Sequence, residues 1–118
     1  MAEKKDLQFL QNKLEHFNQE NAVLKYRLSE MVDNDAENNF LQMAEYFQNE
    51  LLLNDDMLKK LVKEFQEFSD LIYESPKGPL LTEKINENRH SLSKAISNFE
   101  KRFEVLSNEI KTKMFHTI

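Results

Sequence analysis

Three histidines, His16, His90 and His116, are the side chains best suited to acid–base or metal chemistry in a chain of 118 residues that has no cysteine. Without sulfur there is no thiol nucleophile, no disulfide framework and no zinc site with thiolate ligands. Glu87-Asn88-Arg89-His90 reproduces the Glu-x-x-His spacing with which four-helix bundles hold paired iron or manganese ions. Such a centre takes two copies of the element and two further glutamates, all projecting into the core. This chain has one copy, and Glu87 lies two residues after Ile85, off the apolar face. The spacing therefore carries no metal site.

Ser91, Ser93 and Ser97 cluster beside His90. A serine nucleophile needs an adjacent base that is itself oriented by a third group, and nothing in the spacing supplies one. The single glycine, Gly78, rules out a glycine-rich phosphate loop. No catalytic, cofactor-binding or metal-ligating residue is assigned, and the chain is expected not to be an enzyme.

Basic residues that could track a nucleic-acid backbone occur near the C-terminus: Lys94, Lys101, Arg102, Lys111 and Lys113. Glu100, Glu104 and Glu109 are interleaved with them and blunt the field, and the chain as a whole carries −5. Nucleic acid is thus not the expected partner. The longest purely aliphatic run is Leu51-Leu52-Leu53, far short of the roughly 20 residues of a spanning helix, so no membrane span is expected. The start, Met1-Ala2-Glu3-Lys4-Lys5-Asp6, has no apolar stretch behind it, and the expected setting is cytoplasmic.

With catalysis set aside, the informative signal is periodicity. Gly78, Pro76 and Pro79 fall within four positions of one another, leaving the rest of the backbone free for long helices. In the first segment Leu7, Leu10, Leu14, Phe17, Asn21, Leu24, Leu28 and Met31 step alternately by three and four, the rhythm of a coiled-coil seam. In the second, Phe40, Ala44, Phe47, Leu51, Asn54, Leu58, Leu61, Phe65, Phe68 and Ile72 repeat it, with Leu41, Met43, Met57, Val62 and Leu71 widening the face. A face that broad suits a helix with two neighbours. The third runs Leu81, Ile85, Asn88, Leu92, Ile96, Phe99, Phe103, Leu106, Ile110 and Met114, with paired four-residue steps that locally unwind a supercoil.

The fold class expected is all-α: one elongated, antiparallel, coiled-coil-like three-helix bundle over 1–118, running up-down-up. Its helices should span about 5–32, 36–73 and 80–115. The Pro76–Pro79 segment enforces the second turn. The first is softer: Asp33-Asn34-Asp35 favour a break, with Asn34 and Glu37 approximating a capping box, while Val32, Ala36, Phe40 and Ala44 would permit one continuous helix.

Each seam is interrupted by one asparagine, Asn21, Asn54 or Asn88, making these the candidate register-setting residues. In a hairpin folded near residue 35, Asn21 and Asn54 fall in adjacent layers; spacing leaves open whether they meet or each turns to water. Exchanging Asn21 for leucine should raise stability and broaden the range of oligomers. Phe9, Val23, Leu52 and Leu53 lie off the seams and form the candidate association surface, for which a second copy of the chain or another helical protein is the expected partner.

Charge is unevenly divided. Residues 1–35 carry five basic and seven acidic side chains, residues 36–75 three and nine, and residues 76–118 eight and five. An acidic second helix beside a basic third one favours their antiparallel pairing.

Leu24-Lys25-Tyr26-Arg27-Leu28-Ser29-Glu30, followed by Phe40-Leu41-Gln42-Met43-Ala44-Glu45-Tyr46-Phe47-Gln48-Asn49-Glu50-Leu51, resembles uncharacterised helical proteins of Bacteroidetes over the first half of the chain. The resemblance implies a turn near Asp35 and a bacterial cytoplasmic setting. It brings no activity and no functional residue.

The expected function is therefore a non-enzymatic helical interaction protein, a scaffold or adaptor that associates with itself. The competing reading is a small-ligand-binding or enzymatic bundle whose pocket lies between helices and leaves no motif. A polar cavity lined by the asparagines would favour the second; a packed core beside an exposed Leu52/Leu53 patch would favour the first.

Overall fold

In the computed structural model the described residues are 2–34, 38–74 and 79–115, with side chains described for 7–32, 39–73 and 82–115. They form three helices and no strand: α1 (Ala2–Asn34), α2 (Asn38–Glu74) and α3 (Pro79–Lys113). Asp33 still belongs to α1, and hydrogen bonds from Asn21 to Leu51 and from Asn54 to Asn21 lay α2 back along α1, which one continuous helix could not do. The capping pair Asn34/Glu37 and the Ser75–Gly78 turn lie outside the residues described.

The directions follow from which residues meet. Lys13 reaches Glu100, Phe17 packs on Phe99 and Phe103, and Arg27 lies over the Phe115 ring at 3.9 Å. Both numbers rise together, so α1 and α3 are parallel. Between α2 and α3 they run oppositely, with 46–54 beside 101–109 and 64–68 beside 88–92. The topology is up-down-up, an all-α three-helix bundle measuring 62 × 20 × 16 Å.

The seam residues make the core. Leu7, Leu10, Leu14, Phe17, Leu24 and Leu28 are buried on α1, and Ala44, Phe47, Leu51, Leu58, Leu61 and Phe68 on α2. On α3 the buried line is Leu92, Ile96, Phe99, Phe103, Ile110 and Met114, joined by Ser107. Each fully buried aliphatic or aromatic side chain contributes about 1.5–3 kcal/mol of hydrophobic transfer free energy. Phe17, Phe99 and Phe103 meet with centroids 5.3–5.9 Å apart and pin α3 to α1.

Asn88 departs from the seam assigned to it. Its side chain is exposed, whereas Asn21 and Asn54 are 0% and 3% exposed. α1 pairs with α3 at an offset near 86, seen in Lys13–Glu100 and Phe17–Phe103, which puts Asn88 level with the first turn of α1, at the end of the bundle, where it borders the open α2–α3 crevice. Ser107 is the converse case: four residues after Phe103 and three before Ile110, a small polar side chain occupies the buried line.

Candidate functional site

α1 and α2 are joined by a connected polar group inside their seam. Asn21 Nδ2 donates to the Leu51 carbonyl at 3.0 Å and to Asp55 Oδ1 at 2.7 Å. Its Oδ1 accepts from Asn54 Nδ2 at 3.2 Å. Lys25, one turn along α1, donates to Asp55 Oδ2 at 2.5 Å. Both amide hydrogens of Asn21 are therefore used, as is its carbonyl. Two buried asparagines that would each be costly alone satisfy one another. Sliding either helix by one heptad would place Asn21 against Leu58 and Leu61 or against Ala44 and Phe47, none of which offers a side-chain partner.

Between α2 and α3 the charged residues Glu50, Lys60, Glu64 and Glu67 make no such link to Lys101 or Arg102. Their crevice is marked instead by three successive depressions, of about 400, 230 and 220 Å³. The largest lies between Tyr46, Glu50 and Asn54 on α2 and Lys101, Arg102 and Val105 on α3. Further along, Met57, Lys60 and Glu64 face Ala95 and Asn98, and finally Glu64 and Glu67 face Asn88 and Ser91. The α2 lip thus bears Glu50, Glu64 and Glu67 against Lys60, and the α3 lip Lys101 and Arg102 against Glu109. Lys13–Glu100 and Lys25–Asp55 are ion pairs made by α1, and none of Glu50, Lys60, Glu64, Glu67, Lys101 and Arg102 is paired across this crevice.

Exposed apolar side chains border the same crevice. Tyr46 and Leu53, two turns apart on one line of α2, are 55% and 52% exposed, and Val105 on α3 is 61% exposed. The four residues singled out as an association surface are all exposed, but they do not share one face. Phe9 lines a smaller depression between α1 and α3, beneath the Lys13 ammonium, and Val23 continues its line. Leu52 and Leu53 differ by about 100° around α2, so Leu53 faces the α3 flank while Leu52 faces away from it. Tyr46 and Val105 are the bordering residues that the sequence reading did not single out. The alignment rule that links Phe9 to Val23 links Tyr46 to Leu53 equally well.

His16 and His90 are both exposed, Glu87 is exposed beside His90, and His116 lies outside the described residues. Among the described residues no three or more histidines and carboxylates converge on a point that could hold a metal ion. Ser91 borders the crevice, and Ser93 and Ser97 the depression between α1 and α3. Among the described residues, a hydrogen bond to Glu30 and that carboxylate's charge raise the Tyr26 phenol above its ordinary pKa. Among the described residues no helix is long and apolar enough to cross a membrane. No family model, curated protein or solved structure matches the chain.

Proposed function

We propose that this chain is a non-enzymatic helical interaction protein, a scaffold or adaptor that associates with itself in the bacterial cytoplasm. The observation that carries the reading is the line of exposed Tyr46, Leu53 and Val105 beside an open crevice, on a rod whose own core is already filled. Large apolar side chains scattered singly need no explanation, but aligned ones beside a groove favour a contact. The bacterial, cytoplasmic setting rests on the resemblance of residues 24–51 to helical proteins of Bacteroidetes and on the absence of cysteine.

The competing ligand-binding reading draws on Asn54, which borders the 400 Å³ depression. Its amide is already engaged with Asn21, and the depression is open to solvent along its length. Both facts favour the interaction reading. An acidic total with mixed charge on α3 weighs against nucleic acid as the partner.

Light scattering on the purified chain, with its co-eluting components identified, tests the proposal. A mass above that of the 14.1 kDa monomer supports it. A strict monomer with no co-purifying protein overturns it.

A further inference from the structure

Resting on the self-association reading above, we propose that the α2/α3 crevice closes against the same crevice of a second copy. The two-fold axis runs parallel to the helices, so that α2 of each copy lies over α3 of the other.

Three observations carry this geometry. The first is charge. The lips of the crevice differ in net sign, with Glu50, Glu64 and Glu67 against Lys60 on one side and Lys101 and Arg102 against Glu109 on the other, and no ion pair between these residues spans them. A face with one acidic and one basic ridge complements itself when a copy is turned about the axis between the ridges. A two-fold axis across the helices would instead lay acidic ridge on acidic ridge, the pairing that charge disfavours.

The second is level. Rotation about an axis parallel to the helices preserves height along the rod, so a residue of α2 meets whatever stands opposite it on α3. Glu50 stands opposite Lys101, Arg102 and Val105 within the largest depression. In the dimer it therefore meets those same positions in the partner, and Tyr46 and Val105, which line the same depression, share that stretch of the interface. Neighbouring helices in the resulting four-helix layer are all antiparallel, the arrangement of an up-down bundle.

The third is area. A rod of 62 × 20 Å offers a side larger than the roughly 800 Å² per partner that a standard specific interface buries. Of the exposed apolar residues, Tyr46, Leu53 and Val105 occupy this face; Phe9 borders the groove between α1 and α3 and Leu52 points away.

The test is a charge exchange between copies. Glu50→Lys alone sets like charges against the partner's basic ridge, and Lys101→Glu with Arg102→Glu does the same from the other side. By light scattering at physiological salt each variant should dimerise at least about tenfold more weakly than the parent chain. Mixing the two should restore the dimer, because both ridge contacts are then of opposite sign; a repulsion confined within one chain would not be relieved by mixing. Circular dichroism shows whether each variant stays helical. If either does not, Val105→Glu, at a position 61% exposed, keeps the test open and should give a helical monomer. Variants that remain dimers alone, or a mixture that stays monomeric, overturn this face while leaving self-association standing. Loss of the dimer in Phe9→Glu or Leu52→Glu, with Val105→Glu unaffected, also overturns it. A parent chain that is monomeric at all concentrations removes the self-association reading itself.

Discussion

The seam between α1 and α2 and the crevice between α2 and α3 are built from the same heptad rhythm, yet one is locked and the other is open. In the seam, Asn21, Asn54, Asp55 and Lys25 join side chains across the interface, and every polar group of Asn21 has a partner within the chain. In the crevice, Glu50 faces Lys101 and Arg102 without an ion pair, and three depressions separate the helices. Apolar periodicity brings helices together; it does not decide which contact is finished. Polar residues do that, by being satisfied across the contact or by facing one another unpaired.

The largest effect that would sharpen this contrast is a cavity in the seam. Leu51 is fully buried, and Leu51→Ala should lower stability by about 3–5 kcal/mol. Val105→Ala on the crevice lip should fall within about 0.5 kcal/mol in the monomer. Denaturant unfolding at low protein concentration measures both, and equal costs would erase the distinction between the two regions.

Next in size is the asparagine pair. The Asn54 amide donates to Asn21, so Asn21→Leu strands a buried donor and should cost about 1–3 kcal/mol. That geometry reverses the gain in stability expected for Asn21→Leu from the seam pattern alone. Replacing both asparagines by leucine should recover the loss and permit slipped registers, visible as mixed species by native mass spectrometry. A double variant with one register and one mass would remove the register-setting role.

How far the sequence was legible divides along the same boundary. The helices, their order and nearly all of the core follow from the alternating steps of three and four, because burial in a long helix depends on which face a residue occupies. Asn88 shows where periodicity fails: position along a seam says nothing about how near that level lies to the end of the bundle. Ser107 shows the opposite failure, since polarity alone excluded a residue that spacing places on the buried line. Whether Asn21 meets Asn54 depended on offsets of a few ångströms between helices, which no one-helix pattern contains. Leu52 and Leu53 are neighbours in the chain and not around the helix, so their shared exposure does not put them on one face.

Smaller effects sharpen the picture at the seam's edge. Lys25 and Asp55 are each about one-third exposed, so Lys25→Met should cost no more than about 1 kcal/mol, and added salt should shrink that difference. An unchanged cost in high salt would point to packing of the lysine stem instead of charge. The smallest effect concerns Tyr26, whose phenol is raised by Glu30. Because the protonated phenol is favoured in the folded state, its contribution is present below the unfolded-state pKa. It is lost as pH rises through the higher folded value. Ultraviolet titration should find Tyr26 ionising at lower pH in Glu30→Gln; identical curves would break that link.

The contrast between locked seam and open crevice comes down to two coupling energies, obtained from paired double-mutant cycles on the monomeric chain. Asn21 and Asn54, each replaced by alanine singly and together, should be coupled by about 1 kcal/mol or more, whereas Glu50 and Arg102 should be additive within error. Additivity at the asparagines together with strong coupling across the crevice would contradict the account.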